Sequence, residues 1–332
     1  MDVFRQALDQ ALPNLETETV IGINSKYDAY VRQESDIPGI FSRPAFISMA
    51  TYTIHAINLG NFALGETDKV ITLFSAERGI VRAVAKGVRK PGAKISGRAE
   101  PLNVNKLLLA KGRNLDIITQ AESIASFPKL RQNLIRLSYA LYYVELTQHF
   151  GQGLSEESAG YFDFLCQSVN QLAESDDDPT NLCLEFELHL LDLLGYKPQL
   201  DVCVGCSEPL TEYKVSLFHH ESGGIVCQRC NSGRDQAAVQ EHMIFEYGED
   251  APNNPALAGR RQSPYSGTPS IHITPLVWKR LVLAASGHKQ SQPENEVPAN
   301  MARTNTAARR VVQNYIEHRA GRRMRSLDLV AE

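Results

Sequence analysis

The sequence has no run of about 20 apolar residues, the length a helix needs to cross a bilayer, so a membrane bundle is not expected. Its opening stretch, Met1 to Glu18, is acidic and has no continuous apolar core. That argues against a secretory signal and for a cytoplasmic protein. There is no phosphate loop of the form Gly-x4-Gly-Lys-Ser/Thr and no Gly-x-Gly-x-x-Gly opening a βαβ unit, which removes the common nucleotide-binding classes. His-Glu-x-x-His and Gly-x-Ser-x-Gly are also missing, and with them the zincin proteases and the nucleophile-elbow hydrolases. No repeat of fixed period points to a solenoid. The 332 residues are 43% hydrophobic and 22% charged, which excludes collagen, coiled coil and a disordered polymer and fits two or three globular domains.

Cysteine is sparse, but its six occurrences are not scattered. Cys203-Val-Gly-Cys206 and Cys227-Gln-Arg-Cys230 form two CxxC pairs with twenty residues between them. Each pair can present two thiolates to one ion, and a hairpin in between brings the halves together. Gly205 and Gly223-Gly224 suit the tight turns this requires. In a reducing compartment the pattern favours Zn²⁺ over disulfides or redox dithiols. A closed four-thiolate shell leaves no position for water, so the expected role is structural. A zinc deaminase would need His-x-Glu followed by Pro-Cys-x-x-Cys. His219-His220-Glu221 supplies the first element, but Glu221 lies six residues before Cys227, and Val226 stands where the proline belongs. Cys166 and Cys183 sit in apolar helical contexts and read as buried small hydrophobes.

Acidic residues are nearly absent from one segment. Between Arg78 and Arg113 stand ten basic residues: Arg78, Arg82, Lys86, Arg89, Lys90, Lys94, Arg98, Lys106, Lys111 and Arg113. Glu100 is the single acid there, a net of +9. The whole chain carries −4, so the remainder carries −13. Fixed positive charge concentrated in this way attracts polyanions, and the ten residues are the candidate DNA contacts. Glu66 and Asp68 form no recognisable paired-carboxylate site.

The expected fold class is α+β and multidomain. Residues 1–48 read as a poorly ordered extension, and translation could begin at Met49. Residues 49–126 hold five short β-rich runs: Tyr52–Ile57, Lys69–Phe74, Ile80–Val88, Asn103–Leu109 and Leu115–Thr119. Five strands in about seventy residues suit a small closed barrel of the OB-fold kind. Pro91-Gly92 to Gly97 forms a flexible basic loop in it. Phe74 and Tyr52 are its candidates for base stacking, though strand alternation assigns both to the core.

Residues 127–200 form the first part of a helical domain, with Leu130, Leu134, Leu137, Leu141 and Val144 on one core-facing stripe. Further helices cover 159–173 and 182–194, after the solvated break Asp176-Asp177-Asp178-Pro179. Residues 201–235 are the four-cysteine module. Residues 236–332 form the second helical part, with a long loop at about 245–270, a helix over 275–286, a polar linker over 288–300 and a last helix over 304–319. The cationic end, Arg319, Arg322, Arg323 and Arg325, is either a second DNA contact or a solvated helix terminus.

A basic barrel, a helical domain and a four-cysteine knuckle pair, in that order, resemble the RecO family of bacterial DNA repair and recombination proteins. Leu64-Gly65-Glu66-Thr67-Asp68-Lys69, with Leu73-Phe74-Ser75-Ala76-Glu77-Arg78-Gly79, is similar to the family's opening strand pair. Ala85-Lys86-Gly87-Val88-Arg89-Lys90 resembles its basic strand end. The two cysteine pairs with Gly223-Gly224 resemble its zinc knuckles. Tyr315-Ile316-Glu317, Gly321-Arg322-Arg323 and Arg325-Ser326-Leu327 resemble its C-terminal helix. The resemblance covers about 49–330 and fails at 1–48 and in the loop at 245–270.

It implies a mediator rather than an enzyme, associated with the nucleoid. Such a protein binds single- and double-stranded DNA, anneals complementary strands and works with RecR. It helps load RecA onto DNA coated with single-stranded DNA-binding protein, whose C-terminal tail it also binds. None of these partners is read from composition or spacing. Two other classes fit the residues alone. One is a zinc-dependent nucleic-acid enzyme, a nuclease or deaminase. The other is a protein-interaction scaffold with secondary DNA contact.

Overall fold

The computed structural model describes residues 50–93, 95–154, 156–232, 265, 267–287 and 298–326. The expected extension at 1–48, most of the loop at 245–270 and Lys94 lie outside them. Five strands open the described chain: β1 (Thr51–Leu64), β2 (Asp68–Ser75), β3 (Gly79–Ala85), β4 (Val104–Ala110) and β5 (Asp116–Ala125). They close into a barrel in the order β1-β2-β3-β5-β4. Strand β4 pairs antiparallel with β1 and β5, and β3 meets β5 in parallel at Ala83–Asp116 and Val84–Ile117. Closure removes the free edges that would otherwise invite aggregation.

Period-2 alternation explains β4. Asn105, Leu107 and Leu109 share one buried face, while Lys106 is exposed and Leu108 half-buried on the other. Several strand bounds differ from the sequence reading, most of all that of β1, which runs on from Ile57 to Leu64. β3 stops at Ala85 rather than Val88, because Gly87 takes φ +65° and turns the chain. β5 runs on from Thr119 to Ala125, held by the ladder to β4 rather than by its own polar composition.

Two buried asparagines tie the β3–β4 connection to the barrel. Asn58 Nδ2 donates to the carbonyls of Arg98 (2.6 Å) and Glu100 (2.9 Å). Asn105 Nδ2 donates to the Arg98 carbonyl at 3.0 Å and to Asn58 Oδ1 at 3.3 Å. These bonds satisfy carbonyls of a loop that would otherwise be costly to bury. The stretch read as a flexible basic loop therefore ends in an anchored 3-10 turn, Gly97–Ala99.

By contacts, the chain divides into two compact units. One contains the described residues to Ile71 and Arg82–Ser126; the other contains Thr72–Val81 and the described residues from Phe127 onward. The second unit is built on α1 (Leu134–Phe150), α2 (Ser158–Glu174), α3 (Pro179–Leu193), the single turn α4 (Gln228–Asn231), α5 (Pro275–Ala285) and α6 (Pro298–Ala320). Asp178 and Thr274 cap α3 and α5 in front of Pro179 and Pro275, the arrangement in which proline's missing N–H costs nothing. The solvated break is thus a helix cap. The last helix begins at Pro298, within the stretch read as a linker.

The leucine stripe of α1 is not its core face. Leu130 and Val144 are buried, but Leu134 is 64% exposed and Leu137 and Leu141 are only half-buried. The helix is apolar around most of its circumference, so spacing could not choose a face. The larger aromatic area decides it. Tyr139, Tyr142 and Tyr143 are buried, and Tyr143 stacks on Phe186 at 3.7 Å between centroids. Phe74, from the hairpin that belongs to this unit, meets Tyr161 edge-on at 5.2 Å.

Within the same unit, β6 (Val215–His219) and β7 (Gly224–Cys227) form the hairpin between the cysteine pairs. A third strand, β8 (Ser270–His272), joins β6, giving the order β7-β6-β8. Spacing did not announce β8, since three residues carry no readable alternation. No described helix is long and apolar enough to cross a membrane.

Candidate nucleic-acid interface and metal centre

The nine described candidates among the ten DNA contacts do not fall in one place. Lys86, Arg89 and Lys90 lie in the turn after β3, which packs on the β1–β2 hairpin. Arg89 donates its backbone N–H to the Thr67 carbonyl (2.9 Å) and its Nη1 to the Gly65 carbonyl (3.0 Å). Asp68 Oδ1 accepts from the Gly87 N–H and from Thr67 Oγ1, both at 2.8 Å. The Gly87 bond, then Thr67 and the charges of Lys86 and Lys90, hold this carboxyl below its usual range. Asp68 therefore pins the basic turn, a role that its sequence position beside Thr67 did not reveal.

Arg98 is half-buried, its carbonyl held by Asn58 and Asn105. Lys111 and Arg113 lie at the other end of β1. The Lys111 N–H donates to the Ala50 carbonyl at 2.9 Å, and Ala110 pairs with Thr51. Lys111 Nζ sits 5.5 Å over the Tyr52 ring, whose hydroxyl donates to the Asp116 carboxylate. Lys106 is exposed on β4, opposite His55 on one side and Glu122 on the other. Arg82 is exposed on β3, and Arg78 is exposed in the β2–β3 turn, within the second unit.

The cations are poorly neutralised. Among the described residues, Arg82, Lys86, Arg89, Lys90, Lys106, Lys111 and Arg113 are exposed and none is in an ion pair. Glu100, the one acid of the segment, is taken by Lys69 at 2.9 Å. The aromatic candidates are committed elsewhere: Phe74 is fully buried, and Tyr52 is half-buried and hydrogen-bonded. Of the cationic end, Arg322 pairs with Glu145 at 3.5 Å. Glu145 also accepts from the N–H groups of Arg325 (3.1 Å) and Ser326 (2.9 Å). That segment is fastened down, and part of its charge is already met.

The four cysteines come together. The Sγ atoms of Cys203, Cys206, Cys227 and Cys230 all lie within 4.8 Å of one another. Cys206 and Cys227 are 3.9 Å apart. A tetrahedral ion with about 2.3 Å metal–sulfur bonds needs sulfurs about 3.8 Å apart, so the donor set fits. Backbone N–H groups are aimed at the sulfurs. Gly205 and Cys227 donate to Cys203 Sγ at 3.3 Å, and Cys230 donates to Cys227 Sγ at 3.4 Å. Burial pushes the Cys203 thiol up, but these donors outweigh it and hold the thiol below its ordinary value. Burial and the neighbouring sulfurs push Cys230 up.

Such a set can hold one metal ion, with no ligand position left over. His219 takes no part. Its Nδ1 lies 2.8 Å from Ser222 Oγ and accepts from the Ser222 N–H at 3.2 Å. Cys166 and Cys183 are buried singly in the helical core, as their contexts indicated.

Comparison with known proteins gives matches to both halves. The family model described as recombination protein O N terminal matches residues 49–127, and that described as recombination protein O C terminal matches residues 131–240. A DNA repair protein RecO of Symbiobacterium thermophilum is 34% identical over 183 residues, covering 55% of this chain and 72% of that protein. One from Nostoc is 31% identical over 294 residues, 84% of this chain and 95% of the relative. One from Heliobacterium modesticaldum is 36% identical over 212 residues, 63% and 72% respectively.

Proposed function

The chain belongs to the recombination protein O family, whose role is in DNA repair and recombination, and from that premise we propose that it binds single- and double-stranded DNA through its barrel and anneals complementary strands without catalysing bond cleavage. The observation that carries this reading is the turn Lys86–Lys90. It holds exposed, unpaired cations and is fastened by Asp68 and by the Gly65 and Thr67 carbonyls. Fixed cations displace the counterions condensed on phosphate, and that release drives binding with little dependence on sequence. Neutralised phosphates repel one another less, so two strands held at one surface can approach and pair.

The division of labour follows the segments. Residues 49–126 would bind DNA, residues 127–200 and 236–332 would form the helical domain, and residues 201–235 would hold a structural Zn²⁺ on Cys203, Cys206, Cys227 and Cys230. The ion would supply cross-linking of the two knuckles rather than chemistry. Family membership further suggests RecR as a partner, recognition of the C-terminal tail of single-stranded DNA-binding protein, loading of RecA, and residence at the nucleoid.

Strand annealing by the purified protein, with salt titrated, tests the reading. Annealing should weaken steeply as salt rises. Arg89→Ala combined with Lys90→Ala should lower affinity and flatten the slope of log K against log salt by about one to two. Unchanged binding by that double variant would remove the barrel as the DNA site.

A further inference from the structure

Among the described residues of the barrel unit, one aromatic side chain is strongly exposed. Phe62, near the end of β1, is 57% exposed, and Leu64 is 43% exposed. Two residues apart on one strand, they share a face and form a single apolar strip. The chain on either side is tied to the basic segment. Asn61 Nδ2 donates to the Ala99 carbonyl at 3.0 Å, next to Arg98. The Gly65 carbonyl accepts from Arg89 Nη1 at 3.0 Å. The strip thus lies on the β1–β2 hairpin, against which the turn carrying Lys86, Arg89 and Lys90 packs.

We propose that Phe62, with Leu64 beside it, is the stacking platform for unpaired bases, and that it is what lets this barrel favour single-stranded over double-stranded DNA. The inference rests on the reading that the barrel binds DNA and adds to it the residue that senses strandedness. Cations alone grip phosphates of either form. A base offers its π-face to an aromatic ring only when it is not stacked in a duplex, and stacking of this kind tolerates any sequence. The charge beside the strip selects an anionic polymer over an apolar protein surface.

The test uses the full chain and anisotropy of labelled oligo(dT) and of a matched duplex, at two salt concentrations. Phe62→Ala should lose about tenfold in oligo(dT) affinity and change duplex affinity by less than about twofold, with the salt slope unaltered. Phe62→Trp should retain the affinity, and its emission should be quenched by oligo(dT) beyond the change seen from Trp278 in the parent protein. Wild-type affinity in Phe62→Ala, or an equal loss on both substrates, overturns the platform. So does a changed oligomeric state with unchanged oligo(dT) affinity, which would assign the strip to a second copy of the chain. If the Arg89→Ala, Lys90→Ala variant still weakens on both substrates in those cases, the charge reading stands and only stacking is lost. Failure of the parent protein to bind either substrate removes both.

Discussion

The Tyr142 hydroxyl donates to Glu187 Oε1 at 2.8 Å, and both side chains are withdrawn from solvent inside the helical unit. Arg309 lies 3.8 Å from the same oxygen and over the rings of Tyr139 and Tyr142. Burial outweighs the pull of Arg309 and pushes the Glu187 carboxyl up to about 7.

A pH dependence of stability follows. The folded state keeps the Glu187 proton to higher pH than the unfolded chain does, so this group's contribution is full below the ordinary carboxylate range and falls away as pH rises toward 7. The loss amounts to at most about 3 kcal/mol. Glu187→Gln should flatten this part of the profile. The measurement is the difference in urea stability between wild type and variant at pH 5 and at pH 8; a difference that stays constant would contradict the shift.

The anchored loop predicts a second result. Asn58→Ala removes the shorter side-chain bond to each of the Arg98 and Glu100 carbonyls, leaving only those from Asn105 and Asn103, at a cost of about 1–3 kcal/mol. Proteolysis should then cut the β3–β4 connection sooner than in wild type, and DNA affinity should fall through looser placement of Arg98. Equal protease resistance would show that the asparagine does not hold the loop.

Gly224 is a point of close approach beside the knuckles. A Cβ there would lie 2.5 Å from Val204 Cγ1 and 2.7 Å from the Gln199 carbonyl oxygen, which as backbone cannot easily give way. Gly224→Ala should destabilise the chain by about 1–3 kcal/mol. Thermal unfolding checks this, and a Tm within a degree of wild type would count against so close an approach.

Metal content tests the thiolate cluster. The purified protein should contain one zinc per chain by elemental analysis, and Cys206→Ser should reduce retention sharply. Chelation should lower thermal stability while leaving barrel-mediated DNA binding largely in place. A protein prepared without chelator and found free of metal would exclude the structural ion.

The split of cations along β1 gives a further comparison. Lys86, Arg89 and Lys90 attach to the Gly65 end, whereas Lys111 and Arg113 lie by Thr51. Removing one group at a time should reduce the salt slope in proportion to the phosphates it meets. If DNA tracks the length of the strand, both removals will register; if only one does, that end holds the site.

Much of this was legible beforehand because it is local. β-rich runs mark part of each barrel strand, and the CxxC spacing brings sulfurs together wherever a hairpin lies between. Charge concentration is a property of the chain itself. What the chain could not settle alone was adjacency. β3 meets β5 in parallel across more than thirty residues, and that pairing, with β1 spanning the barrel, separates cations that are close in sequence. Likewise, a helix apolar on several sides buries whichever face finds aromatic partners, so Tyr143 against Phe186 displaced the leucine stripe. Phe62 is exposed and Phe74 buried for the same reason: neighbours contributed by distant segments, not the residue's own type, decide which ring meets solvent.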